Sequence, residues 1–116
     1  MNDCEKNCYK FILNLAKELE LDYDVQYEHM EDFARWNLPE ETALEWIDAE
    51  GMVEILECGK CISKEAVDLL REIINSFDSA FEKTDNPVLT HEAMKNSAFW
   101  DMQRQNAKKL ICIMEA

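Results

Sequence analysis

The sequence predicts an all-α fold, a compact single-domain bundle of four to five helices covering residues 1–116, and three observations carry that prediction. Two glycines and two prolines leave too little turn chemistry for a sheet of short strands. Apolar residues recur at helical spacing along most of the chain. Capping residues stand before several of these periodic runs. The apolar fraction, 47%, is too high for a disordered acidic chain. A length of 116 residues allows one core without metals or disulfides, which become necessary below roughly 40 residues.

The first helix is expected from about Asp3 to Glu20, with Asp3 as N-cap. Its apolar face is Cys4, Cys8, Phe11, Ile12, Leu15, Ala16 and Leu19. After a break at Leu21-Asp22-Tyr23-Asp24, Asp22 or Asp24 caps a second helix ending near Trp36. Its inner face is read as Tyr27, Met30, Phe33 and Ala34. Pro39, with Glu40 and Glu41 behind it, opens a third helix that runs to Cys58. Its core row is Leu44, Ile47, Gly51 or Met52, Ile55 and Leu56, with Gly51 as a kink or a point of close approach. Gly59 is the expected left-handed stop. Ser63 caps a fourth helix to about Glu82, with Val67, Leu70, Ile73, Ile74, Phe77 and Phe81 inward. Thr84-Asp85-Asn86-Pro87 is a loop. Thr90 opens a last helical region to Met114 in which Asn96-Ser97 is a point of interruption. Its core positions are Phe99, Met102 or Gln103, Asn106 or Ala107, Leu110 and Met114.

Charge is distributed unevenly. Between Glu18 and Glu57 there are fourteen carboxylates and one base, Arg35, so this stretch alone carries −13, the formal net charge of the whole chain. Tyr23, Tyr27, Phe33, Trp36 and Trp46 are interleaved with the acids. A charge run is ordinarily a solvated helix face, but same-sign crowding opposes a compact state. A pI near 4.4 argues against direct contact with nucleic acid or anionic membrane and favours a basic protein partner. The longest wholly apolar run, Leu110 to Met114, falls far short of the ~20 residues of a membrane span. Asp3 and Glu5 stand where a secretory leader carries bases. Five cysteines without a disulfide framework read as reduced thiols, so a cytoplasmic location is expected.

Cys58-Gly59-Lys60-Cys61 has zinc or dithiol spacing, and Cys4 and Cys8 have the types to complete a four-thiolate set. The corner expected at Gly59 instead makes these structural thiols, and no metal or cofactor is expected. Asp22-x-Asp24-x-Gln26-x-Glu28 begins like a calcium loop, but Tyr27 stands where that loop needs glycine and Phe33 where it needs its bidentate glutamate. His29 and His91 have no serine or cysteine constellation and read as surface or capping residues. Trp46 and Trp100 read as core, and Trp36 as an exposed contact.

Glu28-x-x-Glu31 and Glu45-x-x-Asp48 together resemble the paired motifs of the all-α MazG-type nucleotide pyrophosphatases. The resemblance covers about residues 28–48, and implies a carboxylate cluster holding magnesium against a triphosphate. That family's further acid would fall on Gln26 or Tyr27 here. Lys95, Asn96 and Arg104 have the chemistry for phosphate contact.

The leading expectation is a non-enzymatic binding protein. An anionic, aromatic-bearing face made by Asp22, Asp24, Glu28, Glu31, Asp32, Trp36, Glu41, Glu45 and Asp48 meets a basic, toxin-like protein partner. Acid-rich immunity proteins are similar in size, charge and helical content, a likeness of type that no motif carries. The pyrophosphatase and a DNA-mimic regulator are the alternatives.

Overall fold

The computed structural model describes residues 1–82 and 87–116. Helix α1 spans Asp3–Leu19, and its cap is Asn2, not Asp3. The Asn2 side chain accepts from the Glu5 N–H at 2.7 Å, and the Glu5 carboxylate accepts from the Asn2 N–H at 2.8 Å. This reciprocal box needs a glutamate three residues after the cap, and Glu5 has that spacing from Asn2. Cys8, Ile12, Ala16 and Leu19 are buried, whereas Cys4 and Phe11 of the expected face are exposed.

The expected second helix is two elements. Helix α2 covers Tyr23–His29 and a 3-10 helix covers Asp32–Asn37. Met30 and Glu31 between them are extended, with ψ of 143° and 144°. Of the inner face read for this region, none of Tyr27, Met30, Phe33 and Ala34 is fully buried. The buried residue of α2 is Gln26.

The expected third helix also divides. Helix α3 is Leu38–Asp48, with Pro39 in its first turn, and helix α4 is Glu50–Cys58. The joint is at Ala49, whose N–H donates to the Trp46 carbonyl in a tightened turn at 3.2 Å. It is not at Gly51, which is exposed and has nothing near a Cβ position. The core row is shifted as well. Ala43, Trp46, Ala49, Val53 and Leu56 are buried, while Leu44 and Ile55 are 40% and 38% exposed. Burying the large Trp46 ring turns the helix away from the row on which Leu44 would point inward.

At the end of α4 the left-handed residue is Lys60 (φ 53°), and Gly59 is right-handed (φ −81°). The Cys61 N–H donates to Leu56 O at 2.9 Å and the Lys60 N–H to Glu57 O at 3.1 Å, the paired bonds of a Schellman stop with lysine at the left-handed position. The glycine is needed next to it for another reason. A Cβ on Gly59 would lie 1.8 Å from Glu5 Oε2, so the residue gives room to the carboxylate that caps α1. The expected outcome is that Gly59→Ala destabilises by about 1 kcal/mol through loss of that cap, and that the penalty vanishes in a Glu5→Ala background. Gly51→Ala, with open space around it, is expected to stabilise by up to about 1 kcal/mol. Urea melts of the four variants check both signs.

Helix α5 (Lys64–Glu82) follows its sequence reading closely. Ser63 Oγ accepts from the Ala66 N–H, and Val67, Leu70, Ile73, Ile74 and Phe77 are buried, with Phe81 half-buried. The loop expected at Thr84-Asp85-Asn86-Pro87 lies, except for Pro87, outside the described residues. Thr90 caps helix α6 (His91–Asn96), and Ser97, in extended conformation, caps helix α7 (Ala98–Met114). Of the paired choices on α7, Met102 is exposed at 55%, and Gln103, Asn106 and Ala107 are buried.

The described residues thus form seven α-helices and one 3-10 helix, with no strand. The count exceeds four to five because three expected helices are interrupted. The rods of the bundle are α1, α3 with α4, α5 and α7: α1 packs on α4 and α7, and α5 on α3, α4 and α7. Arg71 of α5 ties to Glu57 of α4 through two hydrogen bonds, at 2.9 and 3.1 Å. Helix α6 touches α2, α3 and α7, and the 3-10 helix touches α3. The radius of gyration, 14.0 Å, is close to the roughly 13 Å of one compact domain this long. Among the described residues no helix is long and apolar enough to cross a membrane.

Candidate interaction face and acidic cleft

Arg35 organises the turn between α2 and the 3-10 helix. Its Nε donates to Tyr27 O at 2.8 Å and Met30 O at 3.0 Å, and Nη2 to Glu28 O at 3.3 Å. These carbonyls are the loose end of α2, where a cation also meets the negative end of the helix dipole. Nη1 pairs with Asp32, and the guanidinium carbon lies 5.0 Å from the centre of the Tyr27 ring. The one base of the acidic stretch is therefore held inside its own chain.

His91 fastens the same region from α6. Its Nε2 lies 2.8 Å from Trp36 O and its Nδ1 2.7 Å from the Tyr23 hydroxyl. A carbonyl only accepts, so Nε2 carries the proton and Nδ1 accepts from Tyr23. His91 thus bridges three elements and is not the lone residue that the sequence reading made it. Burial, then the neighbouring Tyr27 and Asp24, push the Tyr23 hydroxyl above the usual tyrosine range.

These ties present two rings to solvent. Phe33 is 76% exposed and Trp36 75%. They are three apart in a 3-10 helix, where residues at that spacing eclipse one another, so they share one face. Large apolar side chains this open normally mark a contact surface when grouped. Carboxylates surround them in sequence. Asp22 precedes α2 and Asp24 lies in its first turn, Glu28 lies in its last turn, Glu31 precedes the 3-10 helix and Asp32 begins it, and all are exposed. Glu41 accepts from Asn37 Nδ2 at 3.0 Å, and Asp48 is exposed at the end of α3.

Glu45 belongs to a different feature, a cleft of about 280 Å³ between α1, α2 and α3. Leu19, Leu38 and Trp46 contribute apolar walls, and Glu18, Gln26, His29, Thr42 and Glu45 contribute polar ones. His29 Nδ1 lies 2.9 Å from Glu18 Oε1, so this histidine too has a partner eleven residues away. Gln26 donates to Leu21 O at 2.9 Å, while its Oε1 has no partner. Glu45 is exposed as a residue, but the cleft wall takes part of the hydration from its carboxyl, and this first, then Glu41 and Glu18, push it above the usual carboxylate range. A carboxyl raised on folding binds its proton more tightly in the folded state. Its favourable contribution is full below the unfolded pKa and is lost as pH rises through the folded value. Glu45→Gln is therefore expected to stabilise the protein at neutral pH and to flatten the fall in stability above about pH 4. Thermal melts of both proteins across pH 4 to 8 test this, and a destabilised variant at pH 7 would refute it.

The paired acidic motifs do not converge. Glu28 lies in the last turn of α2 and Glu31 sits in the extended break, so the two do not share one helix face as Glu45 and Asp48 can on α3. Among the described residues no three of His, Cys, Asp or Glu are grouped so as to hold a metal ion. The cysteines are free: Cys8 is buried, Cys61 half-buried, and Cys4, Cys58 and Cys112 exposed. The Cys61 thiol donates to Glu5 Oε2 at 3.3 Å, and burial first, then Glu5, push it up from the usual thiol range. That is the setting of an inert thiol rather than a nucleophile. Arg104 donates to Met94 O at 3.0 Å and serves the junction of α6 and α7.

Sequence reasoning missed Glu18, Gln26, His29 and His91. Their partners are far along the chain or on other helices, and no local pattern reports such pairs. No family model matches the chain, and neither a curated protein nor a solved structure is significantly similar to it.

Proposed function

We propose that this protein is a non-enzymatic inhibitor of the immunity or antitoxin kind, which neutralises a basic protein such as a toxin nuclease. The observation that supports the reading most is the pair of open rings, Phe33 and Trp36, on a short helix fixed by Arg35 and His91. Rigid aromatic anchors within a charged surround match the make-up of interface hot spots. A net charge of −13 suits a partner with a basic cleft, where opposite fields speed encounter.

The test is capture of partners from native lysate, then binding kinetics at two salt concentrations with the identified protein and an assay of its activity. A basic protein inhibited on binding is the expected result. Raised salt should slow association, and replacing Glu28, Glu31 and Asp32 by glutamine or asparagine should slow it without unfolding the chain. Equal association rates for parent and neutralised protein would overturn the reading. Capture of a DNA-binding regulator, competed by DNA, would favour a DNA mimic instead.

A further inference from the structure

We propose that residues 20–37, which carry the aromatic face, form a strap that opens from the bundle as a unit while the helices beneath it stay folded, and that the partner captures the closed form. The opening is a property of the chain alone, whereas the part given to the partner rests on the inhibitor reading.

Burial marks the limits of the strap. It stops at Leu19, the last residue of α1, and resumes at Leu38, the first of α3. Between them the one buried residue is Gln26, and no apolar side chain is fully buried. Tyr23 and Met30 are half-buried against the edge of the core. Under the strap lies the cleft of about 280 Å³, lined by Gln26, His29 and Met30 of the strap and by Leu19, Leu38 and Trp46 of the bundle. Where a gap replaces close packing, dispersion contacts are lost. The strap therefore lacks the apolar burial that holds α1, α5 and α7 in place.

Its ties to the other helices are polar instead. His29 meets Glu18 of α1 at 2.9 Å with both side chains about half exposed, and ion pairs that open to water contribute little. Gln26 Nε2 reaches the Leu19 carbonyl only at 3.5 Å. His91 of α6 makes shorter bonds, 2.7 Å to the Tyr23 hydroxyl and 2.8 Å to the Trp36 carbonyl, one near each end of the strap. It is the latch. Within the strap, Arg35 bonds to the carbonyls of Tyr27, Glu28 and Met30, so α2 and the 3-10 helix leave together. Segments with few buried apolar contacts open at a fraction of the free energy of global unfolding. Once detached, a helix of seven residues does not persist in water, so opening frees its amides.

The experiment is native-state hydrogen exchange of the full chain, followed by NMR in urea below the unfolding transition. The probes are the amides of Gln26, Met30 and Ala34, whose hydrogen bonds lie within the strap, with the amides of α5 as reference. Strap amides should exchange at least about a hundredfold faster than those of α5, with one common opening free energy that urea barely changes, because the opening exposes little surface. Ile73 is buried on α5, and Ile73→Val should cut α5 protection by up to about tenfold and leave the strap amides unchanged, since the bundle stays folded in the open form. His91→Phe keeps a ring against Tyr23 and Tyr27 and removes both hydrogen bonds. It should speed exchange of all three strap amides about tenfold. Protection of α5 falls by the same factor, because both openings start from the closed form.

Strap amides that share the opening free energy and urea slope of α5, or that lose as much protection as α5 in Ile73→Val, would overturn the proposal, because the strap would then open only with the whole molecule. Unchanged strap exchange in His91→Phe would overturn the latch. Captured partner in excess should slow strap exchange in proportion to its concentration over Kd, and strap exchange unchanged by bound partner would overturn capture of the closed form. The measurements on the free chain need no partner. A strap that opens in a protein that captures no basic partner leaves the strap and removes the inhibitor reading. A basic protein inhibited by a chain whose strap opens only on global unfolding does the reverse.

Discussion

Trp100→Ala is expected to remove a large share of the stability of this protein. The ring is fully buried, its centre is 5.1 Å from that of Phe77 and 6.0 Å from that of Phe99, and its indole N–H donates to the Val88 carbonyl. Truncation leaves a cavity where three rings met and strands that carbonyl without its donor. Losses of this kind run to about 3–5 kcal/mol for a buried aromatic, against a total of about 5–15 kcal/mol for a typical domain. Trp100→Phe keeps much of the volume and loses only the indole donor, so its cost should stay near about 1–3 kcal/mol. Urea unfolding followed by far-ultraviolet circular dichroism separates the two. A Trp100→Ala protein within about 1 kcal/mol of the parent would mean that the joint of α5, α6 and α7 does not hold the bundle together.

Trp36→Ala is expected to do the opposite, leaving stability within about 0.5 kcal/mol of the parent and costing at least about 2 kcal/mol, near thirtyfold, in affinity for the partner. What fixes the position of Trp36 is its backbone, through the carbonyl held by His91, and the side chain is 75% exposed. Removing the ring therefore takes nothing from the core. The loss should fall in dissociation, because a central anchor acts after encounter, whereas neutralised carboxylates slow association. Phe33→Ala should follow Trp36→Ala, since the two rings share a face. Binding kinetics with the captured partner decide it. Unchanged dissociation in both variants would show that the partner docks elsewhere.

Much of the bundle was legible in the sequence because its long helices carry their own signals. The face of α5 repeats Val67, Leu70, Ile73, Ile74 and Phe77 at helical spacing behind a serine cap, and all five are buried. The region from Tyr23 to Asn37 was not legible in this way. It has no apolar stripe to bury, and its turn is set by Arg35 reaching back to the carbonyls of Tyr27, Glu28 and Met30. The same break separates Glu28 from Glu31, so of an acidic pair with the spacing of one helix face one member lies on α2 and the other in the extended break.

The candidate site shows the division most plainly. The excess of carboxylates between Glu18 and Glu57, and the aromatic residues among them, are composition and need no structure. The sequence reading places Trp46 in the core and Trp36 at the surface, and they are 1% and 75% exposed although both stand among acids ten residues apart; what packing adds is the set of contacts that holds each ring there.

By itself, then, the sequence determined the helical class, the main rods and the sign of the surface, because periodicity, caps and charge are local properties of a chain. Only the tertiary structure decided that His29 meets Glu18, that His91 holds Tyr23 and Trp36 together, and that Gln26 and Glu45 share a cleft. Those pairings join residues as far as 68 positions apart, and they exist because packing sets α2 and the 3-10 helix beside α1, α3 and α6.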